Sequence, residues 1–143
     1  MSNTPDSHLS GYTIRRIFTP QLVFEGIGEG ADLPETEAGN LTLGWDWKAG
    51  SGHEFEVILT ASIAATRPRP ERVRVVLVGS FEVVGERPSV DPETFARRHA
   101  PAILFPYLRE TIANLTIRGL FGALHLPPFN LQALAAAEAA PES

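Results

Sequence analysis

The chain has 143 residues, 43% of them hydrophobic, and a formal net charge of −5, which supplies one globular core and argues against a generic nucleic-acid binder with a phosphate-neutralising basic stripe. It contains no cysteine, so disulfides and every thiolate metal site are excluded. There is neither a charged leader followed by an apolar run nor a stretch of about 18 unbroken apolar residues, and the expectation is a soluble cytoplasmic protein without membrane insertion.

Residues 1–11 are polar and read as a disordered N-terminus. Tyr12–Thr19 and Leu22–Glu25 are rich in β-branched and aromatic residues. Pro20 divides them, and a proline cannot donate to a ladder, so the pair reads as an interrupted edge strand. Residues 26–40 (GIGEGADLPETEAGN) have the glycine-rich, acidic composition of a mobile surface loop. Leu41, Leu43, Trp45 and Trp47 then alternate with polar or small residues. Either all four pack under a helix, or some line an exposed apolar groove, where large aromatics with a polar handle are favoured.

The segments 53–65 and 72–84, joined by the charged turn TRPRPE, form the clearest hairpin signal. Phe55, Val57, Leu59, Ala61 and Ile63 point one way on the first strand, and Val73, Val75, Leu77, Phe81 and Val83 on the second. Val76 and Val78 add apolar surface to the opposite face, which pairing between subunits would cover. Asp91 can cap a short helix with Pro92 at its first position.

The densest stretch is residues 101–130, PAILFPYLRETIANLTIRGLFGALHLPPFN. Stepped at the helical period, Leu104, Phe105, Leu108, Ile112 and Leu115 gather on a core face, while Ile103, Tyr107 and Ile117 fall on another side with Glu110 and Asn114. A helix with two such faces needs two partners, its own sheet and another subunit. Pro106 predicts a kink or a later start. After Gly119 and Gly122 comes a proline-stiffened strap, and Asn130 can cap an alanine-rich terminal helix whose core contacts are Leu131 and Leu134.

The search for chemistry is negative. His8, His53, His99 and His125 show no ligand spacing. No GxSxG, GxxxxGK or GxGxxG occurs. Glu54 and Glu56 share a strand face without the contrasting environments an acid/base pair needs. Arg67, Arg69, Arg72 and Arg74 read first as turn and strand-end solubility, and second as a docking surface for an acidic partner. No cofactor and no catalysis are expected.

The motif at 103–110, ILFPYLRE, followed by RGLF and LHLPPFNLQAL, resembles the C-terminal signature of the SecB family of protein-export chaperones. The likeness extends to YTIRRIFTPQLVFE and to the hairpin closed by GSFEVVG, and covers Tyr12 to Leu134. It implies an α+β domain over residues 12–134: a four-stranded antiparallel sheet packed by a long C-terminal helix and a short terminal helix, with 135–143 as helix end and tail. It further implies a dimer of dimers, a homotetramer acting as an ATP-independent holdase for unfolded polypeptide clients and handing them to SecA. Carried over by position, Leu41, Leu43 and Trp45 line the client groove with Leu126 and Phe129, and Trp47 continues the same face. Of the family's acidic SecA-docking positions only Glu25 stays acidic; the others fall on Gln21, Arg72 and Arg74, and like charges facing a basic tail oppose docking. The alternatives are a SecB-like chaperone serving another client, such as an antitoxin, and a small-ligand binding protein with a pocket under the tryptophans.

Overall fold

In the computed structural model, which describes residues 11–28, 31–36, 41–50, 52–85 and 90–127, the alternating segments become four strands. They are β1 (Tyr12–Gly26), β2 (Leu41–Ala49), β3 (Glu54–Ile63) and β4 (Glu71–Val83), all antiparallel, in the order β1-β4-β3-β2. β1 and β2 are the edges. β1 runs unbroken through Pro20, and the irregularity takes the form of register shifts between Ile14 and Arg16 and between Phe18 and Gln21. At an edge, the missing proline N–H faces no ladder partner.

The period-2 pattern fixes the inner face. Phe55, Val57, Leu59, Ala61 and Ile63 on β3 and Val73, Val75, Leu77 and Phe81 on β4 are all buried. Gly79 interrupts this apolar series for a steric reason. A Cβ there would lie 2.7 Å from Leu104 Cδ2 and 3.0 Å from Phe81 Cε2, so the missing side chain lets the helix approach.

The helical segment starts earlier than Pro101 or Pro106. Asp91 caps α1 (Pro92–Thr94), accepting from the Thr94 N–H at 3.1 Å and the Thr94 hydroxyl at 2.7 Å, and these bonds hold its carboxyl below the usual carboxylate range. A π turn, Phe95–His99, leads into α2 (Ala100–Thr116). The wider turn, with the Ala100 N–H on the Phe95 carbonyl, accommodates Pro101, which has no N–H and collides with an α-helical carbonyl four residues back. Pro106 sits inside α2 at an exposed position, where water can take the carbonyl it leaves unpaired.

Leu104, Phe105, Leu108 and Ile112 are buried against β3 and β4, as their arc requires. At one end of the core an aromatic cluster ties five elements together. Tyr12 stacks on Phe95 with ring centroids 4.0 Å apart, and Phe55 stacks on Phe81 at 5.6 Å and meets Trp47 edge-on at 6.2 Å. The Tyr12 hydroxyl donates to the Val90 carbonyl at 2.5 Å; burial, with the Asp91 charge second, raises its pKa. The terminal helix expected beyond Asn130 and the N-terminal residues up to Ser10 lie outside the described residues.

Candidate functional site

The four alternating residues of β2 face inward but are not sealed. Leu41, Leu43, Trp45 and Trp47 are each half-buried against the core, while Thr42, Gly44, Asp46 and Lys48 between them are exposed. The cause is topological. α2 packs on β3 and β4, and β2 lies outside it at the sheet edge, so its inner face forms an apolar shoulder. These residues thus complete the core and leave part of their apolar surface accessible.

At the aromatic end of the shoulder a cleft of ≈ 270 Å³ is lined by Trp47, Gly50, His53, Phe55, Val83 and Pro92, among others. A second cleft, of ≈ 310 Å³, lies between α2 and the strap and is lined by Pro106, Arg109, Glu110, Ala113, His125 and Leu126. Leu126 is only 5% exposed and belongs to the core, so it forms the floor of this cleft rather than a rim. The two clefts share no lining residue. Phe129 lies outside the described residues.

The strap is held by polar staples. The Thr116 hydroxyl donates to the Ile112 carbonyl at 2.8 Å and accepts the Leu124 N–H at 2.7 Å; the Arg109 Nε–H donates to the Leu126 carbonyl at 3.0 Å. One turn earlier the chain is pinned from the β3–β4 hairpin. Arg69 Nη2 donates to the carbonyls of Phe121 (2.8 Å) and Gly122 (3.0 Å), and its Nη1 pairs with Glu71 at 2.9 Å. The pair is largely buried, with 18% of the Arg69 side chain and 5% of the Glu71 side chain exposed. Gly119 makes room for it, because a Cβ would lie 2.2 Å from Glu71 Oε2 and 2.7 Å from Phe24 Cζ. Arg69, placed by its sequence context among solubility charges, is thus a structural residue, and no local signal marks a partner 52 residues away.

On α2, Tyr107 is 46% and Ile117 63% exposed, with Glu110 and Asn114 also exposed, whereas Ile103 is half-buried against the core. The exposed apolar surface continues past the helix through Leu120 and Phe121. On the outer sheet face Val76 is half-buried, but Val78 is 5% exposed, flanked in register by Phe18 and Ile58. Val78 is therefore mostly covered within its own subunit.

Glu25 is exposed and ion-paired with Arg72. Beside it, Arg74 donates to Gln21 Oε1 at 2.7 Å and to Ser62 Oγ at 3.0 Å. Among the described residues no cluster of His, Asp or Glu could hold a metal ion, and no helix is long and apolar enough to cross a membrane.

Comparison with known proteins agrees with this architecture. The family profile described as preprotein translocase subunit SecB matches residues 6–142. The protein-export protein SecB of Pseudomonas syringae pv. tomato is 34% identical over 131 residues, 89% of this chain and 79% of its own length. That of Acidithiobacillus ferrooxidans is 33% identical over 135 residues, 90% of each chain. Among solved structures, the Mycobacterium tuberculosis SecB-like chaperone Rv1957, in complex with a ChAD peptide from the HigA1 antitoxin, superposes with a TM-score of 0.60 at 16% identity, covering 85% of this chain and 90% of that one.

Proposed function

The chain belongs to the SecB family, and from that membership we propose that it is an ATP-independent holdase that binds non-native polypeptide along the β2 shoulder and keeps it competent for export. Its work is non-covalent rather than catalytic, and it is carried out in the cytoplasm. The observation that carries the reading is the half-exposed row Leu41, Leu43, Trp45 and Trp47, continued by the cleft beside Phe55. Burial of apolar surface contributes about 25 cal/mol per Å² without directional demands, so such a row binds many sequences with little selectivity. The relatives named as export proteins support clients bound for secretion.

The exposed set Tyr107, Ile117, Leu120 and Phe121 supports assembly into a homo-oligomer, with a dimer of dimers as the expected form. The test of holdase activity is suppression of aggregation of several unrelated denatured proteins, with quenching or shift of Trp45 and Trp47 emission on binding. A protein that protects none of them refutes the reading.

A second reading, a SecB-like chaperone dedicated to one client such as an antitoxin, is favoured by one observation. Glu25, the acidic residue that matches the family's SecA-docking surface, is already neutralised by Arg72, and Arg74 adds positive charge beside it. Binding to SecA at low salt separates the two, since the dedicated chaperone shows none.

A further inference from the structure

We propose that the β3–β4 turn, residues 64–70, is a mechanical relay between the connection that leads into β2 and the strap that follows α2, so that displacing one of these segments loosens the other. The turn stands between two features of the inner face. Leu41, where the β2 row begins, pairs with Ile63 just before the turn, and the strap that floors the cleft beside α2 starts where Arg69 reaches it.

Two arginines of one turn hold two segments that are distant in sequence. On the first side the Arg67 N–H donates to the Pro34 carbonyl at 2.7 Å, the Arg67 guanidinium pairs with Glu35, and the Pro70 carbonyl accepts the Ile27 N–H at 2.8 Å. On the second, Arg69 donates to the Phe121 and Gly122 carbonyls. A relay has to be stiff, and the sequence TRPRPE makes this turn so. Pro68 and Pro70 fix their own φ angles, and each also restricts the arginine before it. The Thr66 N–H donates to the Arg69 carbonyl at 3.0 Å, the Thr66 hydroxyl accepts the Arg69 N–H at 3.3 Å, and the Glu71 N–H returns to the Arg69 carbonyl at 2.8 Å. Thr66 and Glu71 are both buried, so the turn is anchored where it leaves β3 and where it enters β4. A movement of Arg67 is therefore carried to Arg69. The two contacts differ in strength, which sets the direction of the signal. The Arg67–Glu35 pair is open to water, with 61% and 75% of the side chains exposed, and is weak, whereas the Arg69–Glu71 pair is buried and costly to break. The connection lets go first, and the strap responds.

The relay is a property of the subunit itself and does not depend on what binds to the β2 row. The test is hydrogen exchange of the full chain, read at the amides of Ile27, which donates to Pro70, of Leu124, which donates to Thr116 Oγ1, and of Leu59 in the inner strand β3 as the reference for the core. Arg67→Glu sets a like charge against Glu35 and leaves Arg69 in place. Exchange at Leu124 then rises about fivefold, the equivalent of one net hydrogen bond lost, while Leu59 keeps its rate. Arg67→Glu combined with Glu35→Arg restores the pair in reverse and returns Leu124 to the parent rate, which separates the relay from a general loss of stability. Arg69→Lys keeps a cation beside Glu71 but lacks the planar fork that spans two carbonyls, and it raises exchange at Ile27 by a similar factor. Glu82→Lys, which breaks the Arg15 pair at the far end of the sheet, moves neither amide. A Leu124 rate in Arg67→Glu equal to the parent's, a rise shared equally by Leu59, failure of the charge swap to restore the rate, or an unchanged Ile27 in Arg69→Lys would each overturn the proposal.

Discussion

Removing Arg69 is the perturbation whose consequences reach furthest through this fold. Arg69→Ala takes away the ion-pair partner of Glu71, whose side chain is 5% exposed, and leaves the Phe121 and Gly122 carbonyls without their donor. Breaking a buried pair by deleting one partner costs about 3–5 kcal/mol, and because 18% of the Arg69 side chain stays in contact with water, the lower end, about 3 kcal/mol, applies. With a urea m-value of roughly 2 kcal/mol per M for a domain of this size, the midpoint drops by about 1.5 M. The assay is urea unfolding followed by tryptophan fluorescence at one fixed protein concentration, since oligomers unfold with concentration-dependent midpoints. Replacing both partners with apolar residues, Arg69→Met with Glu71→Leu, recovers part of the loss, because no uncompensated charge remains. A midpoint drop below about 0.5 M, on the same m-value scale, or a double variant no more stable than Arg69→Ala, refutes the view that this pair clamps the strap turn to the hairpin.

Gly79→Ala destabilises by about 1–3 kcal/mol through overpacking against Leu104, and combining it with Leu104→Ala costs less than the sum of the two, as a double-mutant cycle in urea reads directly. Tyr12→Phe loses about 1 kcal/mol with the Val90 bond. The Tyr12 contribution is full below the usual phenol pKa and is lost as pH rises through the raised value of the folded state, so the variant shows a flatter alkaline limb in thermal unfolding. Asp91 acts at the other extreme: its depressed pKa contributes stability that is present above the usual carboxylate range and lost as pH falls through the folded value, and Asp91→Ala removes that acid limb. Tyr107→Glu or Ile117→Glu lowers the oligomeric state in light scattering while the subunit stays folded, whereas Leu108→Glu, at a fully buried position, unfolds it. If all three variants stayed fully assembled, the assignment of the helix faces would be wrong.

The sequence carried the strands because their inward residues repeat with period two and are buried on one side only; β3 and β4 could be read residue by residue. On α2 the helical period made the core arc of Leu104, Phe105, Leu108 and Ile112 legible, whereas Ile103, placed on the other side with Tyr107 and Ile117, packs half-buried against the core. Long-range features were not legible. The order β1-β4-β3-β2 places the first strand beside the last, and the register shift around Pro20 exists only against that neighbour. Arg69 looks like its exposed neighbours Arg67 and Arg72 until the turn at Phe121 is brought onto it. The role of Gly79 is set by a leucine on a helix that passes over it, which no local pattern shows. Of the residues assigned to the groove by the resemblance, the alternation placed the β2 row on the inner face; that Leu126 sinks into the core follows from the Arg109 and Thr116 staples, whose partners are backbone groups invisible to pattern.

The placement of these features separates two tasks that the fold could otherwise confuse. On the reading proposed above, client burial belongs to the helix side of the sheet, where β2 forms the edge next to the strands that α2 packs on. Gln21, Arg72 and Arg74 sit on the outer side, at exposed positions of strands whose other face is core. Substitutions at these exposed positions have little effect on core packing, since surface changes of this kind are worth about 0.5 kcal/mol or less in stability. A chaperone built this way can exchange its recipient while keeping its grip on clients. On the reading proposed above, Arg72 and Arg74 bear on handover and not on holding, which gives a sharp expectation: converting Arg72 and Arg74 together to glutamate leaves aggregation suppression intact and turns the outer face acidic. SecA binding measured on that double variant at low salt then rises above that of the parent chain; if it does not, these two positions have no part in choosing the recipient.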